Sequence, residues 1–376
     1  MAEIQFSVGS TVALQKSGLD KLLGNLLRMG YKVFGPQIQD GAIVYKPLRS
    51  TAELPKGYIS EQDAGRYRLV YSGHRRYFDV TPGAQSWKQI FFPPLSDLAS
   101  FKRDKKGKWQ IEEKETDLTP YALFGVFPCD LAAIQVQDRI FLREEWKDPV
   151  YWSRRQSAFI LAVNCLHPCG TSFCVSMGTG PKANPGFDLC LTELEDVFLV
   201  EVGSESGRML MEGVPILPTS AFWLQAAQKS LDDASARMGR SLPDQQKLPD
   251  LLLNNLDARQ WDDVAQRCMS CSSCTQVCPT CFCWDGRDSS DLKGNTAQRE
   301  RVWDSCFNPD YSYIVGGNTR PNTRSRYRQW LTHKFGSWYA QFGTSGCVGC
   351  GRCITWCPAK IDVTAELRAI REEVQA

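Results

Sequence analysis

Two cysteine-rich stretches decide the fold of this chain: CMSCSSCTQVCP at residues 268–279 and CVGCGRCITWCP at residues 347–358. Each places its cysteines at the spacing C-x2-C-x2-C-x3-C and ends in proline. Three thiolates at steps of three residues wrap one iron–sulfur cube, whereas the fourth thiolate binds the other cube in two-cluster ferredoxins. The repeated stretch therefore predicts two [4Fe-4S] clusters that share ligands between the two motifs.

The crossed pattern assigns four thiolates to each cluster. We expect Cys268, Cys271, Cys274 and Cys357 to bind the first cluster, and Cys347, Cys350, Cys353 and Cys278 to bind the second. Zinc is the alternative, because tetrahedral zinc sites also use paired cysteines. Zinc needs two pairs, however, rather than two quartets that each end in proline, so the pattern favours iron–sulfur clusters.

The surroundings of the two quartets predict an α-helical ferredoxin domain over residues 246–376. The quartets are 68 residues apart, from Pro279 to Gly346. Helical patterns frame them, over residues 249–266 before the first quartet and over residues 363–374 after the second. Strand signals nearly vanish in this part of the chain, and a polar stretch at residues 230–250 is the best candidate linker to what precedes it.

Residues 1–245 predict a mixed α/β domain, so the expected fold class is α+β. Short apolar runs typical of strands occur at residues 42–45, 67–71, 123–127 and 159–163. Between them, residues 19–29 carry an apolar helical stripe, and residues 131–142 form a helical pattern for which Asp130 is a suitable N-cap.

Four further cysteines, Cys129, Cys165, Cys169 and Cys174, follow the ends of two predicted strands in this domain. Strand ends that meet at one sheet edge, next to a helix N-terminus, suit an anionic thiolate-ligated cluster. We interpret the four cysteines as ligands of a third [4Fe-4S] cluster. The alternative is buried free cysteine, which is common and chemically quiet.

Three other cysteines, Cys281, Cys283 and Cys306, lie between the quartets. One hypothesis is a further metal or cluster site completed by His333, the nearby histidine. The competing interpretation is packing with Phe282, Trp284 and Trp303 around the clusters. Cys190 stands alone and is expected in the core.

Composition excludes several classes of protein. The chain has 376 residues, 16 of them cysteine, and a net charge of +2, which gives no general attraction to nucleic acid or anionic membranes. It contains no run of 18 apolar residues, so no membrane span is expected. Residues 1–7 lack the pattern of a secretory signal. We expect a cytoplasmic protein whose cysteines bind metal.

Segments around these cysteines resemble one family. They include Phe124–Asp130, Ser176–Pro181, Cys278–Cys283, Arg301–Cys306, His333–Phe335 and Gly346–Cys353. They resemble the iron–sulfur β subunit of soluble NiFe hydrogenases of the sulfhydrogenase type, and the related iron–sulfur subunit of anaerobic sulfite reductase. The family pattern Asn-Cys-x-x-Pro-Gly-Gly-Thr-Cys-Phe-Cys is altered, because Cys169 and Ser172 replace its first glycine and middle cysteine.

The resemblance implies a non-catalytic electron-transfer subunit, with no catalytic residue of its own. Its implied partners are a flavin/[2Fe-2S] subunit that handles NAD(P)H and the small and large subunits of a NiFe hydrogenase. The same role in a sulfite or sulfur reductase is the alternative. A remote alternative is a nucleic-acid-binding protein that uses the arginines at residues 320–328. A self-contained enzyme with a site at residues 178–181 is disfavoured, because no acid–base constellation or nucleotide-binding motif accompanies that loop.

Overall fold

The computed structural model describes residues 6–112, 118–242 and 244–375. Residues 1–5 of the N-terminal stretch and Pro243 of the predicted linker lie outside the described residues. The strands within these ranges are β1 (Thr11–Gln15), β2 (Lys32–Gln39), β3 (Ala42–Pro47), β4 (Tyr58–Asp63), β5 (Arg66–Tyr71), β6 (Leu95–Arg103), β7 (Trp109–Glu112), β8 (Tyr121–Val126), β9 (Leu142–Arg143), β10 (Trp146–Lys147), β11 (Phe159–Val163), β12 (Leu189–Glu193), β13 (Val197–Val202), β14 (Ile216–Leu217), β15 (Trp284–Ser290), β16 (Thr296–Trp303), β17 (Tyr313–Ile314) and β18 (Gly317–Asn318).

The helices lie mainly on the faces of the large sheet and in the C-terminal third. They are α1 (Gly18–Arg28), α2 (Lys88–Phe91), α3 (Pro128–Phe141), α4 (Pro149–Gln156), α5 (Cys174–Met177), α6 (Glu205–Leu210), α7 (Ala221–Ala236), α8 (Leu248–Leu253), α9 (Gln260–Arg267), α10 (Ser273–Gln276), α11 (Thr323–Thr332), α12 (Trp338–Phe342), α13 (Arg352–Thr355) and α14 (Val363–Gln375). A π-helical turn, His333–Ser337, joins α11 to α12.

An eight-stranded sheet forms the core of the N-terminal part, in the order β14-β1-β13-β12-β11-β8-β2-β3. Strands β2, β8, β11 and β12 are parallel neighbours, and antiparallel strands extend the sheet on both sides. Every residue of β8 and β11 is buried, as expected for parallel strands covered on both faces. The mixed α/β character predicted for this part is confirmed.

Helices α1 and α3 cover opposite faces of this sheet. On one face, the leucines of α1 pack with Phe124 and Phe159. On the other face, Leu131 of α3 packs with Leu123 and Ile160. The alternation along β8 thus separates two apolar layers. The prediction that Asp130 caps α3 is wrong: the helix begins at Pro128, whose fixed φ suits a first helical position, and Asp130 lies in its first turn.

A second, four-stranded sheet joins distant parts of the chain in the order β15-β16-β6-β7. The expectation that strands nearly vanish after residue 246 is wrong at β15 and β16. The sequence of β15, WDGRDSS, is polar after Trp284 and exposed throughout, so it carries no apolar alternation. Its conformation comes from backbone pairing with β16, which in turn pairs with β6.

The C-terminal part is mainly helical and packs around a core that includes Trp261, Tyr327, Trp330 and Leu367. The helix predicted at residues 249–266 is two helices, α8 and α9. The linker predicted at residues 230–250 is partly helical, since α7 ends only at Ala236. Within the described ranges, no helix combines the length and the apolarity needed to cross a membrane.

Two loops bring the N-terminal and C-terminal parts together. Gly349 and Gly351 have φ values of +66° and +76°. A Cβ at Gly349 would lie 2.7 Å from Cα of Cys174, and one at Gly351 would lie 2.4 Å from the carbonyl oxygen of Thr171. The loop at residues 347–353 therefore lies backbone to backbone against residues 170–174, at positions that only glycine fits.

Candidate iron–sulfur sites

The four cysteines predicted to bind the first cluster line one cavity, of about 430 Å³, at the start of the C-terminal part. Ser270 and Ser272 adopt positive φ values of +50° and +66°, so the chain turns sharply between the cysteines. The cavity wall contains the four predicted ligands of the first cluster together with one more thiol: Cys268, Cys271, Cys274, Cys357 and Cys353. The local backbone thus directs one crossed quartet at a common space.

A neighbouring cavity, of about 370 Å³, lies at the predicted site of the second cluster. Its wall contains the four predicted ligands of the second cluster: Cys278, Cys347, Cys350 and Cys353. The backbone N–H of Gly349 donates to Sγ of Cys347 at 3.4 Å, and Oγ1 of Thr280 lies 3.1 Å from Sγ of Cys278. The structure therefore brings together each set of four cysteines that the spacing predicts.

Burial makes these thiols poor acids. It raises the pKa of Cys274 well above its ordinary value and that of Cys347 to about 12. A thiolate at either position requires a cationic partner, and iron supplies one. In the described part of the chain, no three Cys, His, Asp or Glu side chains converge closely enough to hold a single ion. The thiols instead surround cavities.

The four N-terminal cysteines also line one cavity, of about 430 Å³. The parallel strands β8 and β11 end at the same sheet edge, where Cys129 enters α3 and Cys165 follows β11. Cys169 and Cys174 complete the set from the adjoining loop. Their arrangement at one sheet edge is the one predicted from the strand pattern, and a third cluster remains a prediction that this geometry supports.

The altered family pattern has a direct structural counterpart in this cavity. Cys169 and Ser172 both line it, and their Sγ and Oγ atoms lie 3.2 Å apart. The thiol gained at Cys169 and the hydroxyl at Ser172 therefore face the same space. Exchange of one cysteine position for the other retains four thiols around the cavity.

Arg352 joins this cavity to the second quartet, and sequence reasoning did not single it out. Its Nη2 donates to Oδ2 of Asp130 at 2.8 Å, and the two side chains are 2% and 1% exposed. Its Nε donates to the carbonyl oxygen of Gly83 at 3.2 Å. Nη1 is buried without a hydrogen-bond partner among the described residues, and Arg352 lines the cavity. The guanidinium of Arg352 in the wall of this cavity would attract an anionic cluster.

Cys281, Cys283, Cys306 and His333 line a fourth cavity, of about 580 Å³. The structure therefore places together the four residues of the hypothesised extra site. Of the aromatic residues in the competing interpretation, Phe282 lines this cavity and Trp303 packs against the core of the N-terminal part, whereas Trp284 is exposed. Cys190 is buried in β12 within the core, as expected.

Lys334 lies in the wall between the second and fourth cavities. Its Nζ donates to Oγ1 of Thr280 at 3.0 Å and to the carbonyl oxygen of Gly346 at 3.1 Å. Burial alone would lower the pKa of Lys334, but the Cys278 and Cys281 thiolates raise it well above its ordinary value. A hydrogen bond from Cys281 lowers the pKa of Cys278. In the sequence, Lys334 belongs to the His333–Phe335 segment of the family resemblance, and no pattern predicts that it is buried.

The arginines considered for nucleic acid contact the protein itself. Arg326 donates to the backbone carbonyls of Arg320, Phe307 and Pro321. Arg324 pairs with Asp262 at 2.8 Å. The neighbouring aromatic residues Tyr327 and Trp330 are buried in the helical core, so they are not free to stack on bases.

Comparison with known proteins agrees with this architecture. Residues 267–361 match the family model of a 4Fe-4S dicluster domain, which places this part of the chain in the class of two-cluster iron–sulfur domains and favours iron–sulfur clusters over zinc. The chain is 32% identical over 318 residues to sulfhydrogenase 2 subunit beta of Pyrococcus furiosus, covering 84% of this chain and 92% of that protein. No solved structure matches the chain. The chain belongs to the sulfhydrogenase β-subunit family, as an iron–sulfur electron-transfer subunit.

Proposed function

We propose that this chain relays electrons between a flavin/[2Fe-2S] subunit that handles NAD(P)H and the small and large subunits of a NiFe hydrogenase. The observation that carries the proposal is the sharing of cysteines between neighbouring cavities. Cys353 lines both the first and the second cavity. Cys350 lines both the second cavity and the N-terminal one. The three cavities thus form a continuous series.

Bound [4Fe-4S] clusters accept and release single electrons at potentials set by hydrogen bonds, charge and burial. The chain supplies hydrogen bonds at the predicted sites of the first and second clusters. Backbone N–H groups of Ser270, Gly349 and Ile361 donate to cysteine sulfurs, at 3.5, 3.4 and 3.3 Å. Hydrogen bonds to sulfur stabilise the more negative, reduced state, so these loops help to set the potentials.

The first cavity is the place where we expect a partner to exchange electrons with this chain. Cys271 is exposed, whereas the other predicted ligands of the first two clusters are partly buried. Met269, beside it in the cavity wall, is 68% exposed. An exposed methionine next to a redox site offers a soft apolar contact for a docked subunit. The cavity of the second cluster comes next in the series, and the N-terminal cavity, which is the third, follows it.

The test begins with anaerobic purification of the native complex and measurement of iron, sulfide, nickel and flavin. About eight iron atoms per chain correspond to two clusters and about twelve to three. Nickel with flavin supports the hydrogenase relay, whereas sirohaem instead of nickel transfers the proposal to a sulfite reductase. Stoichiometric zinc without sulfide would overturn it.

A pair of surface variants then tests the docking end. Met269→Glu should slow NAD(P)H-dependent reduction of the clusters at least tenfold, because a charge at the apolar contact weakens docking, while the iron content stays unchanged. Phe222→Glu is the matched control, since Phe222 is 74% exposed on α7. Equal reduction rates in both variants would place the docking surface elsewhere.

A further inference from the structure

The fourth cavity carries a chemical role that the two quartets do not explain. It is larger than the other three, at about 580 Å³, and three thiols line it with one imidazole. None of these three cysteines belongs to a crossed quartet. Three thiols and an imidazole that face one cavity form a set of ligands that the proposed relay does not use.

The hairpin of β15 and β16 brings these thiols together. Trp284 is paired with Trp303 in the register of the hairpin. Cys283 therefore precedes one strand where Cys306 follows the other, and the backbone N–H of Asp304 donates to the carbonyl oxygen of Cys283 at 3.0 Å. Residues that are distant in sequence thus close one cavity from two sides.

The opposite wall comes from an irregular turn. His333 and Lys334 begin the π-helical turn that follows α11. Single π-helical turns inside α-helices often occur at functional sites, because they redirect side chains that an α-helix would place elsewhere. Nε2 of His333 lies 3.3 Å from Oε1 of Gln341, and its ring lies 4.8 Å from that of Trp338. The imidazole is thereby held at the cavity wall.

Lys334 lines this cavity, and Lys88 is buried near enough to Cys281 and Cys283 for their thiolates to oppose the burial that lowers the pKa of Lys88 to about 8. Lys334 is 3% exposed and Lys88 is 4% exposed. Nζ of Lys88 lies 3.8 Å from the ring centroid of Trp303. Over the described ranges, no carboxylate pairs with either lysine. Buried cations without counter-ions are costly, so the fold at this place favours a bound group of net negative charge.

We propose that this cavity binds a further iron–sulfur cluster through Cys281, Cys283 and Cys306, with His333 as the fourth ligand. A cube held by three thiolates and one imidazole carries negative charge, which the two lysines balance. Imidazole replaces thiolate as an iron ligand in some clusters and raises their potential. The larger cavity accommodates an imidazole ring, whose donor nitrogen lies farther from its backbone than a cysteine sulfur does.

The position of this site would make the second cluster a junction, an inference that rests on the proposed relay. The second cavity shares Cys353 with the first, Cys350 with the third, and Lys334 with the fourth. One electron passing from the second cluster to the fourth would oxidise the former and reduce the latter. The fourth site would thus form a side branch of higher potential rather than a step in the main series.

The experiment compares iron and sulfide in anaerobically purified Cys306→Ala and Cys190→Ala proteins. Cys190 is a buried cysteine outside all four cavities, so its variant controls for loss of a thiol. We expect the Cys306→Ala protein to contain about four fewer iron atoms per chain than the control and to lose one spin system on EPR counting after reduction. Equal iron and equal spin counts overturn the proposal, as does a single zinc ion lost from the variant.

A milder variant keeps the proposal testable if Cys306→Ala fails to fold. His333→Ala removes only the fourth ligand, so the cluster should lose its fourth iron and give a three-iron EPR signal in the oxidised protein. His333→Cys should retain four irons and lower the midpoint potential of the same signal. An unchanged signal in both variants contradicts ligation by His333. Failure of the relay would abolish electron transfer within the complex without changing these iron counts.

Discussion

The buried ion pair between Arg352 and Asp130 should dominate the stability of the contact between the two parts of the chain. We expect Arg352→Met to be strongly destabilising, because it leaves the carboxylate of Asp130 buried and unpaired. That carboxylate lies in the first turn of α3, and among the described residues its other hydrogen-bond partner is the hydroxyl of Tyr45 at 3.2 Å. A neutral hydroxyl does not replace the charge that the guanidinium supplies.

The magnitude follows from the burial of both partners. With exposures of 2% and 1%, the pair is out of reach of solvent. Removing one partner of such a pair costs about 3–5 kcal/mol. At about 1.4 kcal/mol for each factor of ten, the unfolding equilibrium shifts by a hundredfold to a few thousandfold. For a chain of this size we expect a fall in Tm of roughly 4–6 °C.

The assay is thermal unfolding of the anaerobic holoprotein, followed by circular dichroism together with the visible absorbance of the clusters. The double variant Arg352→Met/Asp130→Asn should recover part of the loss, since it leaves no charge unpaired. Arg208→Met is the matched control, because Arg208 pairs with Glu205 and Glu212 on the surface and should matter little. A wild-type Tm for Arg352→Met, or no recovery in the double variant, would refute the reasoning.

Three further outcomes are expected from the loops and the thiols. Gly349→Ala should lower the Tm more than Gly343→Ala. Both glycines have positive φ, but only a Cβ at Gly349 meets backbone, at Cys174. Equal losses of Tm would mean that the close approach of these two backbone segments is unimportant. Cys271→Ala should remove about four iron atoms per chain, measured against Cys190→Ala, and unchanged iron would contradict the first ligand set. Removal of iron by a chelator should lower the Tm of the whole chain, since buried thiols and lysines lose their partner charge; an unchanged melting curve would show that the clusters do not support the fold.

The sequence predicted the features that depend on spacing or on strong apolar patterns. The cysteine motifs at residues 268–278 and 347–357 exchange their fourth cysteines, and each resulting set of four lines one cavity. Three-residue steps between cysteines turn a short loop around a single space. The runs at residues 123–127 and 159–163 are central strands, and their ends bring Cys129 and Cys165 to one edge. These relations are local, or they follow from parallel strands sharing an edge, so a single sequence contains them.

The features that sequence reasoning missed depend on distant partners. Strand β15 has no apolar pattern, and its conformation depends on pairing with β16. Asp130 occurs where an N-cap is common, and its partner Arg352 is far away in the chain. Lys88 and Lys334 would ordinarily be expected at the surface, and only the folded chain shows that they are buried beside the same thiols. Charge compensation between remote elements leaves no pattern along the sequence.

The sheet that pairs β6 with β16 limits how this chain can be divided. A fragment beginning at residue 246 keeps both cysteine quartets but loses β6, so the backbone groups of β16 between Thr296 and Val302 become an open edge. Open edges recruit strands from other molecules and promote aggregation. The dicluster segment is therefore not a portable electron carrier that could be moved into another protein unaltered. A transplant would have to carry the hairpin of β6 and β7 with it, or close the edge with charged residues or proline.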